Sequence, residues 1–216
     1  MVEAVRNYSF LQSPKFSLNS KRIIVYIGFQ SPGDLPLNSN LAYGMVNAST
    51  YEREIRDILG GKEQAVRKYA SKIPEKSDAI MSLIESPFYV TRSAGSFGAD
   101  VIAIRHDFSM VIEVKSSVRP YLMFSEGSGK KQEQANRIND MCIRAGIFLT
   151  YAYRIKNVQG DPWRLFVVES KPVGRFNMVY EIIPKIAKTK EGNYVMKWED
   201  GLPLSSFIEI INKKVI

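Results

Sequence analysis

Two carboxylates and a lysine occur at a spacing that can hold a metal ion. Asp100 stands thirteen residues before Glu113, and Lys115 follows Glu113 by two residues. Side chains two residues apart on a strand point to the same face, so the ammonium of Lys115 would lie beside the second carboxylate. The two carboxylates and the carbonyl oxygen of the intervening Val114 are hard ligands of the kind that Mg²⁺ takes. The pattern indicates metal-assisted cleavage of a phosphodiester bond.

Apolar, β-branched segments surround these residues and predict the strands that position them. Residues 99–104 surround the first carboxylate and residues 110–115 the second. Such segments are typical of adjacent strands in a hairpin. Burying two neighbouring carboxylates among apolar side chains is unfavourable unless a cation compensates for their charge. A structural alternative stays open, in which the two carboxylates only form ion pairs with Lys115 and Arg105.

A second copy of the pattern occurs further along the chain. Glu169 and Lys171 also end an apolar strand candidate, residues 163–168, and Asp161 precedes them. Asp161 stands before Pro162 in a Gly-Asp-Pro turn signal, so we expect its carboxylate to lie in a loop with no strand behind it. The context therefore favours the first copy as the site.

The composition fits a folded chain with a basic surface. Its 216 residues are 45% hydrophobic and 24% charged, which is ample for the core of one α/β domain, with or without an extension. The net charge of +8 is spread along the chain and favours a polyanionic partner. The single cysteine excludes an internal disulfide framework and a cysteine-based zinc site.

Membrane association is not expected from the hydropathy pattern. The longest apolar stretches fall well short of the roughly 18 residues that a membrane span needs. No basic and then apolar signal peptide opens the chain. We therefore expect an intracellular, cytoplasmic protein.

The order of the predicted elements indicates an α/β fold with a mixed sheet. Residues 1–48 hold a strand candidate at 21–28 and a loop at 30–40, and we interpret them as an extension. Ser49 and Glu52 have the spacing of a capping box, which predicts a helix that begins at Ser49 and ends at Gly60. Further helices are predicted at about 62–72, 75–86, 130–145 and 203–213. Further strands are predicted at 88–92, 147–155, 163–169 and 193–198, with a strand or short helix at 178–187 and an irregular segment through Gly129.

These residues, in this order, resemble the PD-(D/E)XK nuclease superfamily, specifically the archaeal Holliday-junction resolvases. That family shows a helix starting with Glu-Arg, a strand ending in Arg-x-x-x-Ser, a Pro-Asp strand and Glu-x-Lys-Ser. The matching segments are Glu52-Arg53, Arg92 to Ser96, Ala99-Asp100 and Glu113 to Ser116, and similar segments continue at 132–135, 191–195 and 201–204. The resemblance implies a restriction-endonuclease-like sandwich at 49–216, with a mixed central β-sheet flanked by helices and a helical insertion at about 60–87.

The resemblance also implies a metal centre. Asp100 and Glu113 would bind Mg²⁺ directly, and Mn²⁺ would substitute for it. The carbonyl of Val114 would be a third ligand, and Glu52 would be a further ligand, directly or through water. For Glu52 the capping box remains an alternative explanation.

Catalysis and DNA binding are assigned in the same way. Lys115 would position the attacking hydroxide or stabilise the transition state. Ser96 would help to hold the phosphate, unless it is only a turn residue. Candidate DNA contacts, some of which could equally form a solvated helix face, are Arg92, Ser116, Lys130, Lys131, Gln134 and Arg137.

Three departures from the resolvases affect the expected substrate. Ala99 replaces the family's proline, the lysine-rich loop before it is reduced to three residues, and the chain carries the extension and the helical insertion. Such additions fit a homologue from an archaeal virus, such as a spindle-shaped virus, which would act in the host cytoplasm.

The expected function is a Mg²⁺-dependent, structure-selective DNA endonuclease acting on branched DNA as a homodimer, because symmetric cleavage of a junction calls for two sites. A nuclease for ends, flaps or duplex DNA, and an inactive DNA-binding module, stay open. No nucleotide cofactor is expected, since Lys131 stands where a phosphate-binding loop needs Ser or Thr.

Overall fold

The computed structural model describes residues 48–92, 98–126 and 129–213. The predicted strand at 21–28, the loop at 30–40 and Ser96 lie outside the described residues. So does the extension at 1–48, except for the backbone of its last residue.

The described residues form six helices and nine strands. The helices are α1 Ala48–Leu59, α2 Glu63–Ala70, α3 Ser77–Met81, α4 Lys130–Arg144, α5 Arg175–Ile182 and α6 Leu204–Lys213. The strands are β1 Tyr89–Arg92, β2 Val101–Ile104, β3 Ser109–Ser117, β4 Tyr121–Met123, β5 Leu149–Ile155, β6 Trp163–Val167, β7 Ala187–Lys188, β8 Tyr194–Lys197 and β9 Leu202–Pro203.

Six strands form a mixed central sheet in the order β1-β2-β3-β5-β6-β9. The central pair β3–β5 is parallel, and its crossover contains α4. The other neighbouring pairs are antiparallel. A separate small sheet has the order β4-β8-β7. The predicted α/β sandwich with a mixed central sheet flanked by helices is therefore confirmed.

Each face of the central sheet has its own apolar cluster. The larger cluster includes Ile55 of α1, Val66 of α2 and Phe207 of α6, all fully buried. The second cluster joins Ile138 of α4 to Met196 of the small sheet. Neighbouring residues of β3 face opposite clusters, because side chains alternate along a strand.

Gly61 explains the sharp end of the first helical segment. Its φ of +67° is a left-handed conformation, and an added Cβ would come within 2.3 Å of the Leu83 carbonyl oxygen. Only glycine fits such a position without strain. The chain then enters α2, and Pro74 opens the 3-10 turn that precedes α3.

Several predicted boundaries were wrong. Asp100 lies just before β2 rather than inside it, since Val101 is the first paired residue. The segment predicted as irregular contains β4, and 178–187 divides between α5 and β7. Strands of two or three residues form because a distant strand is present to pair with them, so a local pattern does not reveal them.

The described residues contain no helix that is long and apolar enough to cross a membrane.

Candidate metal and phosphodiester site

The β2–β3 hairpin brings the two motif carboxylates together. Val101 pairs with Ile112, so the preceding residue, Asp100, comes opposite Glu113. Asp100 Oδ2 accepts a hydrogen bond of 2.7 Å from the backbone N–H of Val114. This bond fixes the first carboxylate against the strand that carries the second. The predicted antiparallel hairpin is confirmed.

Glu113 is the most buried charged side chain of the site, with 1% of its surface exposed. Its Oε1 accepts hydrogen bonds from Lys115 Nζ at 2.8 Å and from Gln134 Nε2 at 2.9 Å. Its Oε2 is buried without a hydrogen-bond partner among the described residues. One oxygen is thus held in place from two sides, and the other is left for a further ligand.

The pKa values of both carboxyl groups are raised. Burial is the main cause for Glu113 and for Asp100. The negative charge of Asp100 raises the pKa of Glu113 further, and the Lys115 ammonium offsets only part of these effects. Burial therefore disfavours the charged forms of both carboxylates.

Tyr151 lies beside this pair and was not anticipated from the sequence. It faces Glu113 across the parallel β3–β5 pairing and is 1% exposed. Its ring contacts Phe124 edge to face, with centroids 5.1 Å apart. Its own pKa is raised by burial first and then by the charge of Glu113. No local motif marks Tyr151, because only the strand register brings it to the site.

The donor set fits a hard divalent cation. Two carboxylates and the Val114 carbonyl are oxygen ligands of the type that Mg²⁺ and Mn²⁺ take. The buried Oε2 of Glu113, which has no hydrogen-bond partner among the described residues, is an atom that a cation would satisfy. Within the part of the chain that the structure describes, no three His, Cys, Asp or Glu side chains are grouped closely enough to hold a metal ion. Among the described residues, Glu52 is therefore not grouped with Asp100 and Glu113 as a third carboxylate.

Glu52 approaches the site from α1 but is already paired. Its carboxylate accepts a hydrogen bond from the guanidinium of Arg92, at the end of β1. The negative charge of Glu52 raises the pKa of Asp100, and the positive charge of Arg92 lowers it. The predicted capping box was wrong, because Ser49 already lies inside α1 and its Oγ accepts from Arg53.

The predicted DNA-binding residues differ in how close they lie to the two carboxylates. Gln134, one turn into α4, contacts Glu113 directly, whereas Lys130 and Lys131 are exposed at the start of that helix. Ser116 lies on the opposite face of β3 from Lys115, facing Arg154 of β5. Arg137 is half-buried further along α4.

The second copy of the motif is not assembled. Glu169 is 71% exposed and pairs with Lys188 at 2.6 Å. Asp161 lies in the loop before β6, where its carboxylate accepts backbone N–H groups of Trp163 and Ser205. The loop position predicted for Asp161 is confirmed.

The purely structural alternative for the first copy is also wrong in one respect. Arg105 pairs with Asp107 at 2.5 Å rather than with either site carboxylate. Among the described residues, Lys115 is therefore the only cation that forms an ion pair with Glu113.

Comparison with known proteins gives a weak likeness to a solved structure. No family model matches the chain, and no curated protein matches it. Among solved structures it is similar to Hjc, a Holliday junction resolvase from the archaeal hyperthermophile Archaeoglobus fulgidus. The two are 19% identical, the match covers 61% of this chain and 94% of that chain, and the TM-score is 0.38. So weak a likeness carries no argument, and we infer the function from the residues of the site.

Proposed function

We propose that this protein is a divalent-metal-dependent endonuclease that hydrolyses phosphodiester bonds in DNA. The observation that carries the proposal is the Glu113 carboxylate, buried opposite Asp100. One of its oxygens is held by Lys115 and Gln134, and the other has no hydrogen-bond partner among the residues that the structure describes. Two buried, neighbouring carboxylates are tolerated in a folded protein when a bound cation compensates for their charge. The net charge of +8 supports a polyanionic substrate.

Each residue of the proposed site has a defined task. Asp100, Glu113 and the Val114 carbonyl would hold Mg²⁺ or Mn²⁺. The bound cation would neutralise charge on the scissile phosphate and activate water. Gln134 keeps the Glu113 carboxylate in one orientation through its 2.9 Å hydrogen bond.

Lys115 supplies the positive charge that the reaction needs next to the metal ligands. Its ammonium is 2.8 Å from Glu113 Oε1 and its side chain is 20% exposed, so it can reach both the carboxylate and a bound phosphate. An ammonium at this place stabilises the charge that develops on the phosphate in the transition state.

The ion pair between Glu52 and Arg92 links DNA binding to the site. Arg92 is 41% exposed and could move to a DNA phosphate, which would release the Glu52 carboxylate. Glu52 would then be available as a further ligand, directly or through water. Ser96, Ser116, Lys130, Lys131 and Arg137 stay proposed phosphate contacts.

We propose branched DNA as the preferred substrate, with ends, flaps and duplex DNA as the alternative. The restriction-endonuclease-like domain would comprise residues 49–216, with the helical insertion at about 60–87 and the extension at 1–48 as additions. A viral origin, with action in the host cytoplasm, belongs to the same proposal.

The test is cleavage of a panel of labelled DNAs: a four-way junction, a flap, a plain duplex and a single strand. Each is incubated with the full chain in Mg²⁺, in Mn²⁺ and in EDTA. We expect cleavage in either metal and none in EDTA, with the junction or the flap cut fastest. A chain that cuts no DNA in either metal would contradict the proposal and would favour an inactive DNA-binding module.

A symmetric cut of a four-way junction requires two sites related by a two-fold axis. We therefore expect a homodimer, and light scattering on the full chain would measure it. A monomer both free and bound to a junction would contradict this part of the proposal.

A further inference from the structure

We propose that the β3–β4 turn, residues 118–120 together with Tyr121, is a stacking platform for unpaired bases of the substrate DNA. This inference rests on the proposed function, since it names the feature of DNA that the same site would recognise.

The turn exposes several large side chains close together in the sequence. Val118 is 67% exposed and Tyr121 is 44% exposed. Arg119 stands between them with 62% of its side chain exposed. An aliphatic, a cationic and an aromatic side chain are thus offered to solvent within four residues. Exposed apolar groups in a cluster mark interaction sites more often than isolated ones do.

The backbone of the turn is nevertheless held firmly. Ser117 Oγ accepts a hydrogen bond of 2.9 Å from the N–H of Arg119, and the Tyr153 hydroxyl donates one of 2.7 Å to the carbonyl of Arg119. The N–H of Trp198 donates another of 2.7 Å to the carbonyl of Pro120. Backbone groups of the turn are satisfied from β3, from β5 and from the segment after β8. Such an anchored turn presents its side chains from a fixed backbone, which lowers the entropic cost of a contact.

The turn lies next to the proposed catalytic residues. Val118 follows Lys115 by three residues, which is about 10 Å along an extended strand or about three base steps. Tyr153, whose hydroxyl holds the turn, faces Lys115 across the β3–β5 pairing. A DNA strand with its phosphate at Lys115 would therefore have bases a few steps away at the turn.

The exposed cations at the turn favour a nucleic acid over an apolar protein partner. Lys197 is exposed directly across the β4–β8 pair from Tyr121. Among the described residues, Arg119 forms a long, exposed ion pair with Glu126, at 3.9 Å. Such a pair contributes little and leaves the guanidinium available. An aromatic face flanked by cations is the arrangement that binds single-stranded nucleic acid by base stacking and phosphate contact.

Binding of fluorescent DNAs to the full chain in EDTA tests this without cleavage. The probes are a plain duplex, a single strand, and a flap carrying 2-aminopurine in its unpaired segment. We expect Tyr121→Ala to weaken binding of the single strand and of the flap by about 5- to 150-fold, the usual effect of removing a base-stacking aromatic. Duplex binding should change less than threefold, and the quenching of 2-aminopurine should be lost.

Two variants serve as controls. Tyr121→Phe keeps the aromatic face, so it should bind as the parent does. Tyr89→Ala removes another exposed tyrosine, 73% exposed at the start of the edge strand β1, and should change nothing. Thermal unfolding of all three variants checks that the fold is intact.

The inference is overturned if Tyr121→Ala binds every DNA as the parent does, or if it loses duplex and single-strand affinity equally. The first result would leave the turn free for a protein, and the second would make it a general phosphate contact. Metal-dependent cleavage by the parent alongside either result would leave the proposed function standing. Loss of single-strand binding in Tyr121→Ala, in a chain that cleaves no DNA, would support the platform and overturn the nuclease.

Discussion

Among single residues, Glu113 has an environment that destabilises the folded protein but suits a metal ligand. Its carboxylate is buried and faces a second carboxylate, and one of its oxygens has no hydrogen-bond partner in the described part of the chain. Burial raises its pKa, and the neighbouring Asp100 raises it further. The charged form of Glu113 is therefore less favourable in the folded chain than in the unfolded one. Proteins commonly accept such a conflict at a functional site.

Replacing Glu113 with glutamine should stabilise the metal-free protein. The amide keeps the shape of the side chain and removes the buried charge, so we expect the free energy of unfolding at pH 7 in EDTA to rise by about 0.5–2 kcal/mol. Thermal or urea unfolding measures the difference. Glu169→Gln is the matched control at the exposed copy of the motif and should leave the stability unchanged. A clear loss of stability in Glu113→Gln would mean that its ion pair with Lys115 is the dominant contribution.

At the scale of elements, the hairpin that carries the site is braced by Arg105. Its guanidinium binds the carboxylate of Asp107 in the β2–β3 turn and donates to Asn212 Oδ1 of α6 at 3.1 Å. It also lies over the ring of Phe88, 4.6 Å from the centroid. The Arg105 side chain is 3% exposed. The orientation of β2 and β3, and so of the two carboxylates, depends on this buried cation and its partners.

Asp107→Asn should destabilise the fold strongly, because it leaves the buried Arg105 without a counter-charge. We expect a loss of about 3 kcal/mol at pH 7 in urea unfolding. Glu63→Gln breaks the exposed ion pair with Arg67 instead and should cost no more than about 1 kcal/mol. Equal effects of the two substitutions would contradict the role given to Arg105.

The same ion pair should give stability a defined pH dependence. Burial by itself raises the pKa of Asp107, but the hydrogen bonds and charge of Arg105 outweigh it, so the pKa is lowered from 3.8. A lowered pKa means that the stabilisation is complete above the unfolded value and is lost as the pH falls through the folded value. The stability difference between parent and Asp107→Asn should thus shrink below about pH 4. A difference that stays constant from pH 7 to pH 3 would contradict this assignment.

The sequence predicted the elements whose signals are local. β2 and β3 carry runs of β-branched residues, and α4 has apolar residues at helical spacing, so the hairpin and the helix behind it were found. The exposed copy of the motif could be set aside because Pro162 signals a turn. These features depend on neighbours within a few residues.

Contacts between distant segments could not be predicted in the same way. The pairing of Glu52 with Arg92 and the position of Tyr151 beside Glu113 depend on strand register and helix packing. β4 forms because β8, more than seventy residues later, is there to pair with it. No propensity of the three residues of β4 contains that information.

At the scale of the whole molecule, metal binding and folding should be coupled. A cation that binds only the folded protein stabilises it according to its concentration and affinity. At 100 times the dissociation constant the gain is about 2.7 kcal/mol. The gain should be larger here than the stabilisation that Glu113→Gln brings without metal, so the parent with metal becomes the most stable form.

Thermal unfolding with increasing MgCl₂ or MnCl₂ measures this coupling, with NaCl at matched ionic strength as the reference. We expect the melting temperature of the parent and of Glu169→Gln to rise with metal, and that of Asp100→Asn and Glu113→Gln to stay unchanged. An equal rise in all four proteins would mean that the metal binds elsewhere.

Glu113 and Lys115, and not the similar pair Glu169 and Lys171, form the proposed hydrolytic site. The most direct measurement is the single-turnover rate of Mg²⁺-dependent cleavage of a labelled four-way junction by the parent and by four variants. We expect Glu113→Gln and Lys115→Ala to lower the rate by at least about 100-fold, the usual effect of removing one charge-stabilising group. Glu169→Gln and Lys171→Ala should cleave at the parent's rate. Cleavage that survives Glu113→Gln, or that is lost in Glu169→Gln, would contradict the claim.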